Sequence, residues 1–235
     1  MALQAAAFLK GRIGNTTFYP LGNTWVARSI PAHVQQAAAT KLRSRNFGVA
    51  VKAGKTLRSL LLPSLPFPKD KKMQTKLAGA IAQWLGVNDP VGIAPVNNIP
   101  FVNHFSFNDA TSVSERWRTV INVARPSDNY IDVQIPAFIP TAMITAPVYT
   151  DVIECTITVA SCKMIDAIAL GNFNVSISIP YNSDLRDEQI LSLPVKSTSG
   201  AIVVTAVSLN YQLANGQKDM RPSFMPSSVI NAMYC

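Results

Sequence analysis

The sequence predicts an α+β fold in which an N-terminal β-hairpin and helices precede a C-terminal antiparallel β-sandwich. Turn and helix signals dominate the first part of the chain. From about residue 114 the pattern changes, because apolar and polar residues alternate in one run after another, with turns between the runs. We therefore divide the 235-residue chain into a basic hairpin-and-helix region, residues 1–113, and a sandwich domain, residues 114–235.

The hairpin is predicted within residues 10–29. A Thr-Thr-Phe-Tyr run at 16–19 favours a strand, Pro-Leu-Gly-Asn at 20–23 favours a turn, and Thr-Trp-Val-Ala at 24–27 favours the returning strand. An apolar arm, residues 2–9, precedes the hairpin. We expect this arm to form a short helix or to dock on a neighbouring subunit.

Two helices are predicted between the hairpin and the sandwich. The first is expected over residues 33–50, after the break at Ile30-Pro31. A stiff connector with prolines at 63, 66 and 68 follows. The second helix, residues 69–85, places its apolar residues on one stripe, and Gly86 is suited to end it. The stripe consists of Met73, Leu77, Ile81, Trp84 and Leu85.

The sandwich strands are predicted from alternation of period two. An Asn215-Gly216 dipeptide is a strong hairpin turn and should return the chain as a last strand near residues 229–234. The inward-facing residues of the predicted strands are Ile131, Val133 and Ile135; Ile153, Cys155, Ile157 and Val159; Phe173, Val175, Ile177 and Ile179; Leu191, Leu193 and Val195; and Val203, Val207, Leu209 and Tyr211.

The sequence contains no arrangement of residues typical of an active site. Two histidines, three cysteines without a C-x-x-C pair and scattered acids match no nucleophile, acid–base or zinc pattern. Asp184, Asp187 and Glu188 lack the spacing of a calcium loop, which favours a solvated turn over a calcium site. We therefore expect no enzymatic activity, no catalytic, cofactor-binding or metal-binding residues, no cofactor and no small-molecule substrate.

A group of phenylalanines, Phe101, Phe105 and Phe107, precedes the pair Arg116 and Arg118. One interpretation is a buried cluster that covers one end of a sheet. The other is a platform on which nucleotide bases stack beside the two arginines. The buried cluster is the better interpretation, because aromatic side chains serve a core equally well.

Charge is scarce and unevenly distributed. Charged residues make up 14% of the chain, whereas an ordinary domain carries about 25%. Residues 1–126 hold 16 Lys and Arg against 4 Asp and Glu, and residues 127–235 hold 5 against 9. A surface that is poor in charge is suited to burial in an assembly. A basic half and an acidic half also favour a head-to-tail contact between subunits.

These observations predict a non-enzymatic structural subunit that assembles with copies of itself. The assembly would be symmetric or filamentous, such as a surface fibre or a virion-like shell or tube. The predicted assembly arm comprises Ala2, Leu3, Phe8 and Leu9, which would be buried by docking on a neighbour or added to its sheet edge. An alternative is that the arm folds back on its own core.

The alternative function is nucleic-acid binding through a basic patch on the first helix. The patch comprises Lys41, Arg43, Arg45, Lys52, Lys55 and Arg58. These side chains could contact phosphates, or they could form a solvated face near the C-terminal end of a helix, where cations are favoured. Nucleic acid is therefore the second expected partner, after copies of the same chain.

Neither a secretory signal nor a membrane span is evident in the sequence. The first nine residues are apolar without a charged segment before them. Residues 136–150 are apolar too, but prolines interrupt them and the run is shorter than the roughly 20 residues that cross a bilayer. The cellular location stays unknown, with an extracellular or virion-like assembly as the expectation.

The order of short motifs resembles an uncharacterised bacterial family of unknown function. The motifs are Gly11-x-x-Gly14-Asn15, Val26-Ala27-Arg28-Ser29, Thr40 with Arg45-x-Phe47, and the ending Asn231-Ala232-Met233-Tyr234. In that family a glycine-rich hairpin precedes a Gln/Arg/Phe helix and an immunoglobulin-like sandwich. The stretches at 60–63 and 69–72 depart from this pattern. The resemblance implies a hairpin, helices and then an immunoglobulin-like sandwich, and it implies no activity.

Overall fold

A computed structural model describes residues 3–5, 8–30, 37–64, 71–87, 96 and 98–235. It confirms the α+β class, with a strand-rich C-terminal part. The chain forms two compact units, residues 1–42 and 43–235. The helices that precede residue 113 share a core with the C-terminal strands, and the boundary after residue 113 stays a prediction. Residue 113 lies near the change from helices to strands.

The N-terminal unit contains a four-stranded antiparallel sheet in the order β1-β2-β3-β4. Its strands are β1 (Leu3–Ala5), β2 (Phe8–Ile13), β3 (Thr16–Leu21) and β4 (Thr24–Ser29). The hairpin predicted from residues 16–27 is β3 and β4, and Gly22 takes a φ of +59° in its turn, a conformation that favours glycine. The arm was expected as a helix or a docked segment, whereas its described residues form strands.

Two long helices follow. Helix α1 spans Ala38–Leu61 and helix α2 spans Lys71–Val87. The first helix therefore runs further than predicted, because an apolar stripe continues through Leu57 and Leu61, both fully buried. The two helices contact each other where Asn46 Nδ2 donates to the Leu85 carbonyl at 2.9 Å. The first part of the predicted α1 and the start of the predicted α2 lie outside the described residues.

The C-terminal strands form two antiparallel sheets, one in the order β11-β10-β7-β8 and one in the order β5-β6-β9. The short helix α3 (Val113–Arg116) precedes these strands, and the short helix α4 (Pro140–Met143) lies between the second and the third of them in chain order. The strands are β5 (Asn122–Ser127), β6 (Tyr130–Ile135), β7 (Thr150–Lys163), β8 (Ile168–Pro180), β9 (Gln189–Pro194), β10 (Ala201–Leu213) and β11 (Ser227–Tyr234).

The larger sheet is covered on both faces, which gives the unit three layers. Odd-numbered residues of β10, including Val203, Leu209 and Tyr211, pack on the three-stranded sheet in one core. Even-numbered residues, including Ile202 and Val204, pack under α1 and α2 in a second core. The alternation in the sequence therefore gives two apolar faces rather than one, and both are buried.

The outer edge of β11 is covered by the segment around residues 96–107. Backbone bonds join Val96 and Tyr234 in both directions, Ile99 N–H donates to Ala232, and Phe107 N–H donates to Ser227, all at 2.8–2.9 Å. This segment was predicted as a loop, and its described residues act as an added strand-like cover. Within the described part of the chain, no helix is both long and apolar enough to span a membrane.

Candidate functional site

The N-terminal sheet has one uncharged face and one basic face. In the register of β2, β3 and β4, residues opposite each other share a face, so Gly11 lies with Phe18, and Phe18 with Ala27. The uncharged face that results presents Leu9, Gly11, Ile13, Thr16, Phe18, Pro20, Trp25, Ala27 and Ser29. The basic face presents Lys10, Arg12, Thr17, Tyr19, Leu21, Thr24, Val26 and Arg28.

Neither face of this sheet provides a core. Among the described side chains from residue 9 to residue 30, none is buried. Ile13 on the uncharged face is 52% exposed, and Leu21 on the basic face is 62% exposed. Sequence reasoning missed this site, although Lys10 and Arg12 alternate with Leu9 and Ile13, which is the signal of a two-faced strand.

The structure places the predicted assembly arm in the first two strands of this sheet. Leu3 pairs with Lys10, and Ala5 pairs with Phe8, so the two halves of the arm form an antiparallel pair. Leu9 is 38% exposed. Ala2 lies outside the described residues. The arm therefore extends the sheet of its own chain, and docking on a neighbour stays a prediction.

The predicted basic patch lies on α1, and the structure brings part of it together. At 3.6 residues per turn, Arg45, Lys52 and Lys55 fall on one side of the helix, opposite the stripe that contains Ala50 and Leu57. All three cations are exposed. Arg43 and Arg58 point to other sides of the helix on the same reckoning. Lys41 lies in the first turn, within the N-terminal unit, and is exposed.

No acidic side chain occurs on α1 or α2, whose sequences contain only cations and neutral residues. Among the described residues, no ion pair engages any of the six cations of the patch. On α2, Lys76 pairs with Asp109. The exposed side of α1 is therefore a local positive region of a chain whose net charge is +8.

One side of the sandwich ends in two strands that contain no charged residue. Strand β8 is the last strand of the larger sheet and β9 is the last strand of the smaller sheet. Neither Ile168–Pro180 nor Gln189–Pro194 contains Lys, Arg, Asp or Glu. Ile168, Phe173 and Ile190 on these strands are 54%, 42% and 61% exposed. This lack of charge is visible in the sequence, but the edge position is not.

The acidic loop after β8 shows the features of a solvated turn. Asp184 accepts from Asn182 Nδ2 at 2.7 Å, and Glu188 accepts from Gln134 Nε2 at 2.6 Å. Across the described residues, no group of three or more His, Cys, Asp or Glu side chains is arranged to hold a metal ion.

The aromatic and thiol groups of the sandwich unit are mainly core residues. Phe107 is buried, so the interpretation as a nucleotide-stacking platform is wrong for this ring. Trp117, between the two arginines, is buried as well. Cys155 and Cys162 are buried free thiols in the two cores of the larger sheet. Burial raises the pKa of both, that of Cys162 to about 12, so neither forms the thiolate that a nucleophile needs.

A cavity of about 450 Å³ opens between the two sheets near β8. Phe173, Tyr130 and Lys196 are among the residues that line it. Its lining contains no carboxylate, imidazole or thiol, and its ionisable side chains are those of Tyr130 and Lys196.

Comparison with known proteins gives no relative from which a role could be transferred. No protein-family model matches the chain, and no curated protein sequence matches it.

Proposed function

We propose that this protein is a non-enzymatic structural subunit that assembles with copies of itself into a symmetric or filamentous particle. A surface fibre and a virion-like shell or tube are the forms that such an assembly would take. The proposal rests on the surfaces of the molecule rather than on a reactive site.

The observation that carries the proposal is the uncharged face of the N-terminal sheet. This face combines exposed Ile13 and Leu9 with Phe18, and from residue 9 to residue 30 the sheet buries none of its described side chains. Small antiparallel sheets need packing on a hydrophobic face to be stable. Contiguous apolar surface on a protein is typical of an interaction site. The face therefore favours a partner that covers it.

A second copy of the chain is the partner that fits best. The face carries no charge, so two such faces meet without like-charge repulsion. The basic face behind it has a complement as well, because exposed acids occur on the sandwich unit. Asp184, Asp187 and Glu188 lie in the loop after β8, and Asp151 lies beside the end of β8, where its carbonyl accepts from Tyr181 N–H. A contact between a basic surface and an acidic one on another copy is heterologous and closes into rings or extends into filaments.

Two matched substitutions on opposite faces of the sheet test the proposal. We expect Ile13→Lys to abolish or strongly weaken assembly, because it places a charge in the uncharged face. Leu21→Lys adds the same charge to the basic face at a similarly exposed position and should have a smaller effect. Size-exclusion chromatography with light scattering and negative-stain imaging would measure the assemblies. Full-length protein that stays monomeric across micromolar concentrations at moderate salt would contradict the proposal.

The assembly arm has its own test. A variant that starts at Lys10 lacks β1 and the first part of β2, so the sheet loses the pairing of Leu3 with Lys10. We expect this variant to assemble less than the full-length protein. Assemblies that survive the truncation would leave self-assembly in place and reject the arm as its cause.

Nucleic-acid binding is the second candidate, and the exposed cationic side of α1 favours it. Phosphate contacts predict an affinity that falls steeply with salt. Each contact makes the slope of log K against the log of salt concentration more negative by about 0.9. We expect a triple Arg45/Lys52/Lys55→Gln variant to lose roughly three such contacts. A triple Lys163/Lys196/Lys218→Gln variant removes the same charge elsewhere and is the control. A gel-shift assay at low salt that retains neither DNA nor RNA would reject this function.

A further inference from the structure

Strand β8 has a free edge that differs from the other end of its sheet. At the other end, the segment around residues 96–107 covers β11 with backbone hydrogen bonds. Strand β8 pairs with β7 only, among the strands that the structure describes. Isolated proteins commonly protect such an edge with charged side chains or a short strand. This edge is 13 residues long and uncharged.

The register shows which backbone groups point away from the sheet. Tyr181 N–H donates to Asp151 O at 2.8 Å, and the pairing continues in step through Ile153↔Ile179 to Val159↔Phe173. In an antiparallel pair, alternate residues bond to the neighbouring strand. The odd-numbered residues of β8 therefore bond to β7. The N–H and C=O groups of the even-numbered residues Asn172, Asn174, Ser176 and Ser178 point to the free edge.

The limits of this free edge are also fixed. Pro180 continues the even series but has no N–H group to donate. At the other end, the register with β7 shifts between Ser161 and Cys162, opposite Gly171 and Ala169. The regular outward-facing stretch therefore runs from Asn172 to Ser178.

We propose that β8 pairs with β8 of a second copy of this chain across a two-fold axis. This inference rests on the proposed self-assembly and identifies one of its contacts. Antiparallel pairing with Val175 on the axis sets Asn172 opposite Ser178 and Asn174 opposite Ser176 of the second copy. Each of the four outward-facing residues then forms two hydrogen bonds with one residue of the second copy, one through its N–H group and one through its C=O group. The larger sheet continues across the contact without a break.

A second copy is favoured over an unrelated strand because the edge is its own complement. A two-fold contact brings the same surface of both copies together, so a charge on β8 near Val175 would lie close to an identical charge. The strand carries none. The four outward residues are symmetric about Val175, and no glycine or proline interrupts them. A two-fold contact closes on itself, so growth beyond a pair would use the N-terminal sheet.

Disulfide cross-linking tests the register. In a Cys235→Ser background, Val175→Cys places two thiols on the axis at a non-hydrogen-bonded pair, where Cα atoms lie about 4.5 Å apart. We expect oxidation to give a covalent dimer. The matched control is Ser178→Cys on the same strand, because the two copies of residue 178 would lie about 20 Å apart at 3.4 Å per residue. No dimer from Val175→Cys, or equal dimer from both variants, would overturn the inference.

A proline at the edge tests the contact itself. Asn174→Pro removes an N–H group that points away from β7, so the sheet of the single chain keeps its hydrogen bonds. We expect the smallest assembled species to fall from two subunits to one. Asn174→Lys keeps the backbone N–H group and places two like charges beside the axis, so it should also yield single subunits. It provides the test where the proline variant fails to fold. Assembly of wild-type mass in these variants would overturn the β8 contact and leave the proposed function intact. A monomeric wild-type protein would overturn both.

Discussion

Two four-stranded antiparallel sheets in this chain differ in what covers them. The sheet β11-β10-β7-β8 is buried under helices on one face and under a second sheet on the other. The N-terminal sheet buries none of its described side chains from residue 9 to residue 30. Both sheets are paired antiparallel, so backbone pairing does not distinguish them, whereas burial does. The sandwich unit contains its own cores, whereas the described side chains of the N-terminal sheet form none.

The largest expected effect separates the two sheets by stability. Ile157 is fully buried in the sandwich core, so Ile157→Ala should lower the free energy of unfolding by about 2–5 kcal/mol. Ile13 is half exposed, so Ile13→Ala should change it by about 0.5 kcal/mol or less in dilute protein. Denaturant unfolding at submicromolar concentration measures both. Equal losses would show that the N-terminal sheet is already covered in the single chain.

Thiol reactivity sharpens the comparison. Cys155 and Cys162 lie in the two cores of the larger sheet, and burial raises their pKa, so neither should react with a thiol reagent until the protein unfolds. In a Cys235→Ser background, Ile13→Cys should react as fast as an exposed thiol in the monomer and slowly in assemblies. Mass spectrometry of time-resolved labelling measures the rates. An Ile13→Cys thiol that is protected at all concentrations would contradict an uncovered face.

Cys235 itself should report an intermediate environment. Burial raises the pKa of this thiol, although Arg125 donates to its Sγ at 2.7 Å and opposes that shift. Its thiolate therefore forms at higher pH than that of a free cysteine. We expect its labelling rate in the folded protein to keep rising above the pH at which a free cysteine levels off. A rate that levels off at the pH of free cysteine would show that the environment does not act on the thiol.

A small expected effect on the free energy of unfolding concerns the ion pair of Asp219 and Arg221, which follows β10. Arg221 donates from Nε and its backbone N–H to Asp219 at 3.0 Å, and these bonds lower the pKa of the carboxyl group. A lowered pKa in the folded state stabilises the protein above the unfolded pKa of about 3.9 and is lost as pH falls through the folded value. Asp219→Asn should cost about 1 kcal/mol or less at pH 7, because Arg221 is exposed.

The cost should disappear in acid. Unfolding of the wild-type protein and of Asp219→Asn, compared at pH 7 and below the folded pKa of Asp219, measures the difference. A cost that is the same at both pH values would assign the effect to packing rather than to charge.

Local sequence patterns predicted most strands of the sandwich unit. Alternation identified β6 to β10, and Asn215-Gly216 predicted a turn in which Gly216 takes a φ of +81°. Strand β5 was not predicted, because Asn122–Ser127 contains a proline, which is uncommon inside a strand. In the structure, the register of β5 with β6 shifts after Ala124. Helix α1 continues through Gly54, a weak helix former, to Leu61. In the structure, Gly54 lies against Ala78 of α2, where a small residue is suitable.

The candidate surfaces could be predicted only in part, because they depend on pairing. The cations of α1 are spaced so that the helical period alone brings Arg45, Lys52 and Lys55 together. The uncharged face requires the register of β2 with β3, which joins residues from separate strands. The free edge of β8 requires the strand order of the whole sheet, and alternation within a strand contains no information on its neighbours.

In the proposed assembly, the uncharged face of the N-terminal sheet would make ionic strength a control on association. Copies with a net charge of +8 repel each other at a distance, and salt shortens that repulsion to about 10 Å at 0.1 M. A contact on the uncharged face would include no ion pair that salt could weaken, because the face carries no charged residue. Added salt should therefore lower the concentration at which copies associate through this face. A contact between the basic face and the acidic loops would respond in the opposite direction, so the sign of the salt dependence identifies which surface starts the assembly.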